Sequence, residues 1–274
     1  MSKTFLKNML KDREEGNFLI PMIRREWARI SLERSENFKW SEHINPSSGW
    51  LTFSGCPYEG IREAAGGRKA NEADSIQYME IGNGMHTLLQ KWAVSIPDLL
   101  WPKPTFPTLK ENEKLEKEWP EWPFFWEPFE LSGRVDLVIK YRQQAAVLDI
   151  KIPQRMEGGA WDSYKKKLPE ETHLTQSCMG ALALKHMGVL DPQWVGVVYF
   201  NPFIPSKGNN CYFEHYRPFD TLLEEKTMLL LIHAKKERDA FLAGEESSCT
   251  YPGCKKHRKL DDESPRQDDG EPRL

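Results

Sequence analysis

Three charged residues near the middle of the chain are spaced so that they can act together: Asp136, Asp149 and Lys151. Side chains alternate along a β-strand, so Asp149 and Lys151 lie on the same face. If the segment forms a hairpin that is symmetric about Arg142-Gln143, Asp136 lies directly opposite Asp149. Their Cβ atoms would be about 4.5–5.5 Å apart, which destabilises two carboxylates unless a cation lies between them. Arg-Gln is not a favoured turn pair, so a register shifted by a residue or two stays open.

Two carboxylates and an ammonium group on one face suit a Mg²⁺ or Mn²⁺ site for phosphodiester cleavage. Carboxylate oxygens are the hard ligands that these cations prefer. The ammonium group of Lys151 can orient or deprotonate a water molecule and offset charge in the transition state. The alternative is structural, because an Asp-x-Lys sequence at the end of a strand is common by chance. Support must therefore come from the rest of the chain.

The apolar pattern predicts an α/β fold around this hairpin. Strands are expected over 129–139, 145–152, 194–200 and 211–216, and helices over 75–94, 171–186 and 220–243. Asp220 is the expected N-cap of the last helix, and Gly244 marks its end. Residues 97–128 are rich in proline and tryptophan and are expected to form an irregular excursion over the core.

The hairpin sequence resembles a known nuclease core. Gly133-Arg-Val-Asp136, followed after twelve residues by Asp149-Ile-Lys151, is similar to the central motif of the PD-(D/E)XK nuclease superfamily. Gly82-Asn-Gly-Met-His86 resembles the Gly…His element of its RecB-like branch, which includes phage and CRISPR-associated exonucleases. His173-Leu-Thr-Gln176 matches the helix that carries a Gln in that branch. The resemblance covers about residues 50–257 and implies a mixed central sheet flanked by helices.

The resemblance also implies roles for individual residues. His86, Asp136, Asp149 and the backbone carbonyl of Ile150 would bind the catalytic Mg²⁺ or Mn²⁺. Lys151 and Gln176 would complete the active site, with Glu130 as a weaker candidate on the face of Asp136. These residues are all present in the chain.

Two positions depart from the family pattern. The branch usually has Gln-x-x-x-Tyr, and here the position four residues after Gln176 is Gly180. An aromatic contact to the substrate or metal site is therefore missing or supplied elsewhere. Val135 replaces the proline of the superfamily's name, which is a common variation.

Some members of the branch hold a structural metal through cysteines from both ends of the domain. The corresponding residues here are Cys56, Cys249, Cys254 and His257, a Cys₃His set that suits tetrahedral Zn²⁺. Related exonucleases often hold an iron–sulfur cluster through four cysteines, so a 4Fe-4S cluster is the alternative. Free thiols in a surface loop are the third possibility. A bound metal would tie the ends of the domain together and contribute to folding.

Composition limits the class of protein. The chain has 274 residues with a net charge of −3 and five cysteines, too few and odd in number for a secreted disulfide framework. It has no apolar run of the roughly 18 residues that a membrane helix needs and no signal-peptide pattern, so we expect a cytoplasmic protein. The expected organisation is an N-terminal helical segment (1–48), a nuclease domain (49–260) and an acidic disordered tail (261–274).

The acidic tail alone accounts for the negative sum, since residues 261–274 hold six acids and two arginines. The near-neutral remainder neither requires nor excludes a nucleic-acid partner. Two basic runs, Lys165–Lys167 and Lys255–Lys259, could contact phosphates or be solvated loop charges. The aromatic residues over 119–126 could stack on bases, although core packing is the favoured interpretation.

The sequence therefore predicts a metal-dependent DNA exonuclease that acts on free DNA ends, with single-stranded DNA as one candidate substrate. Recombination or CRISPR adaptation proteins are possible partners. The alternatives are a structure-selective endonuclease of the same fold and a non-catalytic, zinc-bound DNA-binding or assembly protein. Retention of Asp136, Asp149 and Lys151 together argues against the last.

Overall fold

The computed structural model describes residues 73–104, 120–153, 158–202 and 211–245, together with a few residues between 26 and 61. Within these ranges the protein has a four-stranded mixed sheet with helices on both faces and a separate two-stranded sheet. The expected α/β class with a mixed central sheet flanked by helices is confirmed. The boundaries at residues 48 and 260 lie outside the described residues.

In the described ranges, four consecutive strands follow the first long helix, and two helices separate them from the last two strands. In chain order they are α1 (Ala73–Ser95), β1 (Trp122–Trp126), β2 (Leu131–Val135), β3 (Leu137–Tyr141), β4 (Gln144–Lys151), α2 (Gly158–Lys165), α3 (Glu171–His186), β5 (Trp194–Phe200), β6 (Tyr212–Pro218) and α4 (Thr221–Leu242). The order of strands in the larger sheet is β3-β4-β5-β6, with β4 and β5 parallel and the other pairs antiparallel. None of these helices combines the length and apolar character that crossing a bilayer requires.

The predicted ends of α4 agree with the structure. The carboxylate of Asp220 accepts a hydrogen bond from the backbone N–H of Leu223 at 2.9 Å, so it caps one of the unpaired amides of the first turn. Gly244 has a φ of 71°, which a residue without a Cβ adopts easily after a helix. Local chemistry therefore sets both ends of this helix.

The hairpin of β3 and β4 has the symmetric register that the sequence predicts. Leu137 lies opposite Leu148, and Arg142 and Gln143 form the two-residue turn. Both turn residues have positive φ, 51° and 63°, which is the conformation that matches the twist of a tight hairpin but is unfavourable for residues other than glycine. The guanidinium of Arg142 lies 5.2 Å from the centre of the Tyr141 ring, a cation–π contact that offsets part of this strain.

The single strand predicted over 129–139 is wrong, because the chain changes sheets at Asp136. β2 pairs with β1, whereas β3 pairs with β4. Residues Glu127–Phe129 form a short 3-10 turn, and Glu130 has a φ of 47°, outside the strand region. At the break, the carboxylate of Asp136 accepts a hydrogen bond from the backbone N–H of Ile150 at 2.7 Å. The side chain of Asp136 thus forms a hydrogen bond to β4 at the point where the backbone pairing of β3 with β4 ends.

The expected irregular excursion over 97–128 is also wrong in part, since Trp122–Trp126 form β1. Trp122, Phe124 and Trp126 are buried and Phe125 is 47% exposed, which is the alternation of a strand with one covered face. The Trp126 ring stacks on His186 of α3 at 4.7 Å. Three of the four aromatic side chains of β1 therefore serve core packing, as the favoured interpretation predicted.

The two faces of the larger sheet are buried in different hydrophobic clusters. Val147 and Val195 belong to the larger cluster, which includes residues of α3 and α4. Leu148 and Ile150 belong to a smaller cluster with Ala93 of α1. Because side chains alternate, Asp149 and Lys151 share the α3 face with Val147.

Candidate active site

The predicted side chains that the structure describes meet at the carboxyl end of β4. Asp149 and Lys151 come from this strand, Asp136 from the junction between β2 and β3, His86 from α1 and Gln176 from α3. They form two linked contacts, one between His86 and Asp136 and one between Asp149, Lys151 and Gln176. Four separate elements therefore contribute to one site.

Asp136 links α1 to the hairpin. Its Oδ2 atom lies 3.0 Å from Nε2 of His86 and 2.7 Å from the backbone nitrogen of Ile150, which donates to it. The side chain is 18% exposed, so one edge of the carboxylate still faces the site. The carboxylate is held in place by partners on both sides.

Asp149 is the most deeply buried charged group of the site. Lys151 Nζ donates a hydrogen bond to its Oδ1 at 3.0 Å and lies 2.9 Å from its Oδ2, but Oδ2 is buried and accepts no hydrogen bond. Burial raises the pKa of Asp149 to about 7, the charge of Asp136 adds to this effect, and Lys151 opposes it. The charged carboxylate is thus only partly stabilised by the protein.

Lys151 is oriented by two acceptors. Its Nζ donates to Oε1 of Gln176 at 2.7 Å as well as to Asp149. An ammonium group has three N–H donors, so one is left for a substrate or a water molecule. The side chain is 25% exposed, which leaves the tip accessible.

Competing effects act on the pKa of His86. Burial by itself lowers the pKa of the imidazole, but the hydrogen bond and the charge of Asp136 outweigh it, so the net pKa lies above the usual value. The charges of Glu121 and Asp149 act in the same direction. Three carboxylates therefore surround this histidine.

Gly180 lies where the family pattern has a tyrosine, and the packing there leaves no room for one. A Cβ atom at this position would lie 2.6 Å from Cγ2 of Val135 and 3.7 Å from Cε1 of Phe124. Helix α3 thus approaches the two-stranded sheet closely, one turn beyond Gln176. The absence of the tyrosine follows from this contact.

An aromatic residue does lie beside the site, but on a strand. Tyr199 of β5 is the register partner of Lys151 and is fully buried. Its hydroxyl accepts a hydrogen bond from the backbone N–H of Glu170 at 3.0 Å and lies 3.0 Å from Nδ1 of His173. Burial and the nearby Lys151 cation lower the pKa of His173 to about 4, so this imidazole is neutral at neutral pH. Tyr199 anchors the start of α3 and with it Gln176.

Two further polar residues at the site were missed by the sequence reasoning: Glu121 and Gln90. Glu121 precedes β1, and its carboxylate accepts a hydrogen bond from Nε2 of Gln90 at 3.1 Å. Gln90 lies four residues after His86, one helical turn further along α1, and this spacing was the available signal. No sequence spacing indicated Glu121, because its position depends on β1, which lies in a stretch that was predicted to be irregular.

Other predicted residues lie elsewhere or outside the described ranges. Glu130 does not share the face of Asp136, because it lies outside β2 and forms an ion pair with Arg238 of α4. The expected structural metal site falls on residues outside the described ranges, namely Cys56, Cys249, Cys254 and His257. The remaining two cysteines are buried free thiols: Cys178 and Cys211.

The solved structures that are similar to this chain include an exonuclease in two forms and SSO0001. An alkaline exonuclease (LHK-Exo) from Laribacter hongkongensis has 12% identity and a TM-score of 0.43, and the match covers 87% of this chain and 98% of that chain. The same exonuclease in complex with dAMP has 13% identity and a TM-score of 0.42, covering 80% and 94%. SSO0001 has 14% identity and a TM-score of 0.41, covering 84% and 90%.

No protein-family model matches the sequence, and no curated protein matches it at a significant level. The function is therefore argued from the site itself.

The donor atoms of the site fit a divalent cation. Carboxylate oxygens and a histidine nitrogen from His86, Glu121 and Asp136 lie within 4.8 Å of one another. The buried Oδ2 of Asp149 has no hydrogen-bond partner, and its carboxylate is costly to ionise without an added positive charge. Oxygen donors with one imidazole suit Mn²⁺ and, with fewer protein ligands, Mg²⁺.

Proposed function

We propose that this protein is a metal-dependent deoxyribonuclease of the PD-(D/E)XK type. The observation that carries the proposal is the convergence of Asp136, Asp149 and Lys151 at one end of β4, with His86 in contact with Asp136. Two acids, an accessible ammonium group and an imidazole at one place are the groups that hydrolysis of a phosphodiester needs.

Asp136, Asp149, His86 and the backbone carbonyl of Ile150 would hold the catalytic Mg²⁺ or Mn²⁺. When bound, such a cation polarises the phosphodiester and lowers the pKa of a water molecule. Asp149 is suited to hold it because its buried Oδ2 accepts no hydrogen bond, and Asp136 lies beside His86 within the group of potential ligands. His86 would bind the cation as the neutral imidazole.

Lys151 would act on the substrate side of the site. Gln176 and Asp149 accept two of its three N–H donors, and the third would be available to a non-bridging phosphate oxygen or to the attacking water. A fixed ammonium group stabilises the extra negative charge that develops on the phosphate in the transition state. Gln176 acts through Lys151 and is a positioning residue.

The proposed reaction is hydrolysis from DNA ends. This part of the proposal rests on the resemblance of the Gly82–His86 and Gln176 elements to RecB-like exonucleases. A DNA degradation assay tests it with linear and covalently closed circular DNA of the same sequence, at equal Mn²⁺ or Mg²⁺.

The linear form should be degraded and the closed circle should persist. Asp136→Asn should remove degradation at unchanged secondary structure, and excess chelator should do the same. Cleavage of the closed circle would identify the endonuclease alternative. DNA binding without any cleavage in either cation would identify the non-catalytic alternative and refute the proposal.

We also propose that Cys56, Cys249, Cys254 and His257 bind a structural Zn²⁺, with a 4Fe-4S cluster as the alternative. Three thiolates and one imidazole are a common tetrahedral zinc set. Elemental analysis of the purified protein tests this proposal. One Zn per chain and no Fe is the expected result, and a brown preparation that contains Fe would contradict it.

A further inference from the structure

The outward face of α4 carries a row of exposed residues, three apolar and two charged. Leu222, Leu229 and Ile232 are 69%, 56% and 48% exposed. Glu225 and Lys236 are exposed in the same row. The spacing of the five positions alternates between three and four residues, so their side chains line up along one face of the helix.

The opposite face of α4 already anchors the helix to the protein. Leu223, Leu231 and Ala234 are buried there and belong to the larger hydrophobic cluster. A surface helix ordinarily has a single apolar stripe, and a helix with apolar residues on two opposite faces is ordinarily covered on both. The exposed row is therefore suited to a second contact.

A groove lies on each side of the row. One groove lies between α3 and α4 and is lined in part by His186 and Met228. The other lies between α4 and the 3-10 turn and is lined in part by Phe129 and Ala240. A ridge of side chains with a groove on each side is the surface that packs against a second helix.

The charges of the row match those of a second copy of α4 in the antiparallel direction. With a two-fold axis midway between Leu229 and Ile232, Leu229 faces the partner's Ile232 and Glu225 faces the partner's Lys236. In a parallel, in-register pair, each of these charges would face its own copy, which is unfavourable. Among the described residues, Glu225 and Lys236 have no ion-pair or hydrogen-bonding partner, so both charges are available.

The ends of the row are compatible with the same pairing. Leu222 would lie opposite the partner's Asp239. Within each chain, the carboxylate of Asp239 accepts hydrogen bonds from Lys235 at 2.7 Å and from Arg238 at 2.8 Å, so its charge is balanced. The pairing thus has an apolar centre flanked by charged pairs, which is the usual arrangement of a protein interface.

We infer that this row is the interface of a homodimer in which two copies of α4 pack antiparallel, centred on Leu229 and Ile232. The inference does not depend on the proposed function, because the row contains no residue of the candidate active site. An interface of one helix from each chain is small, so the dimer is expected to dissociate in the micromolar range.

Sedimentation velocity of the full chain tests the inference at concentrations from about 1 to about 100 μM, without DNA. The wild type should change from monomer to dimer across this range. Ile232→Glu should weaken dimerisation by about 100-fold or more, because it buries two unpaired carboxylates at the centre of the interface. Leu242→Glu is the matched control, since Leu242 is also exposed on α4 but lies off the row, and it should dimerise as the wild type does.

Exchange of the charged pair tests the antiparallel register. Glu225→Lys and Lys236→Glu should each weaken dimerisation by about 3- to 30-fold, because each places two pairs of like charges in contact. The double variant E225K/K236E should recover the dissociation constant of the wild type. Circular dichroism checks that every variant is folded.

Three outcomes would overturn the inference. The first is a wild type that remains monomeric at the highest concentration, which would leave the row to a different occupant. The second is an Ile232→Glu variant that dimerises as well as the wild type. The third is a double variant that dimerises no better than the two single charge variants.

Discussion

Asp149 illustrates, for a single residue, the free-energy cost of placing a charged carboxylate in the folded protein. Its carboxylate is buried beside Asp136, and Lys151 supplies only part of the compensation, so its pKa rises to about 7. In the unfolded chain the same carboxyl group ionises near pH 4. In the absence of a cation, folding therefore becomes less favourable as the pH rises above the pKa of this carboxyl group in the unfolded chain, because only the unfolded chain then loses the proton.

The sign of the resulting pH dependence follows from proton linkage. Between about pH 4 and pH 7 the folded chain retains the Asp149 proton that the unfolded chain has lost, so this residue lowers the free energy of unfolding as the pH rises. The effect approaches about 1.4 kcal/mol per pH unit at most and levels off above pH 7. Urea unfolding of the wild type and Asp149→Asn, in buffer freed of divalent cations, measures it.

Asp149→Asn lacks the titrating group, so its stability should fall less than that of the wild type from pH 4.5 to 7. Added Mn²⁺ should flatten the wild-type curve, because a bound cation favours the carboxylate. If the free energy of unfolding depends on pH in the same way for the two proteins without a cation, Asp149 is not the source of the pH dependence.

The residues of the hairpin could be predicted from the sequence, because strand alternation and a two-residue turn determine which side chains share a face. Asp136, Asp149 and Lys151 follow from those two rules. Glu121 could not be predicted in this way. Glu121 contacts Gln90 because β1 pairs with β2, and no spacing along the sequence predicts that contact.

At the level of elements, the packing of α3 against two sheets positions Gln176. The helix lies over β4 and β5 and also touches β1 and β2, and Gly180 packs against Val135 of β2. Glycine is needed there because of space, since Val135 already occupies the volume of a Cβ atom. The same approach excludes the aromatic residue that the family pattern would place on this turn.

Gly180→Ala should destabilise the protein by about 1–3 kcal/mol, because the added methyl group must displace Val135 from the core. Gly84→Ala is the matched control in another helix, where nothing lies within 4 Å of the added atom. It should stabilise the protein by up to about 1 kcal/mol through helix propensity. Urea unfolding measures both, and equal shifts in the two variants would contradict the packing argument.

The sequence predicted continuous strands better than the point at which a strand changes partners. β5 and β6 are close to expectation, because alternation and flanking turn residues mark them. The break at Asp136 is set by long-range contacts, since Val135 pairs with Trp122 and Leu137 pairs with Leu148. An apolar pattern that runs through residues 131–139 does not reveal such a change.

At the level of the whole molecule, both faces of the larger sheet are covered, and the candidate site lies at the carboxyl end of β4. Lys166 and Lys167 are exposed and lie between α2 and α3, the helix that carries Gln176. Overall charge is near zero, so attraction of DNA depends on such local groups. Under the proposed function, Lys166 and Lys167 are candidates for contacts with DNA phosphates.

Replacing both Lys166 and Lys167 with Ala should weaken DNA binding about 3- to 10-fold at moderate salt. The slope of log affinity against log salt should fall by about one to two, because each lysine releases roughly one counterion on contact with a phosphate. Lys236→Ala on α4, also an exposed lysine, is the control and should change neither. An unchanged salt slope in the double variant would show that these lysines do not contact DNA phosphates.

The central claim is that Lys151 acts on a phosphodiester at a cation site built by Asp136 and Asp149. The most direct measurement is the single-turnover rate of DNA cleavage by Lys151→Ala at saturating Mn²⁺, compared with the wild type. The expected result is a loss of at least about 100-fold in rate with Mn²⁺ still bound, because Lys151 stabilises the transition state. A cleavage rate equal to that of the wild type would contradict the account.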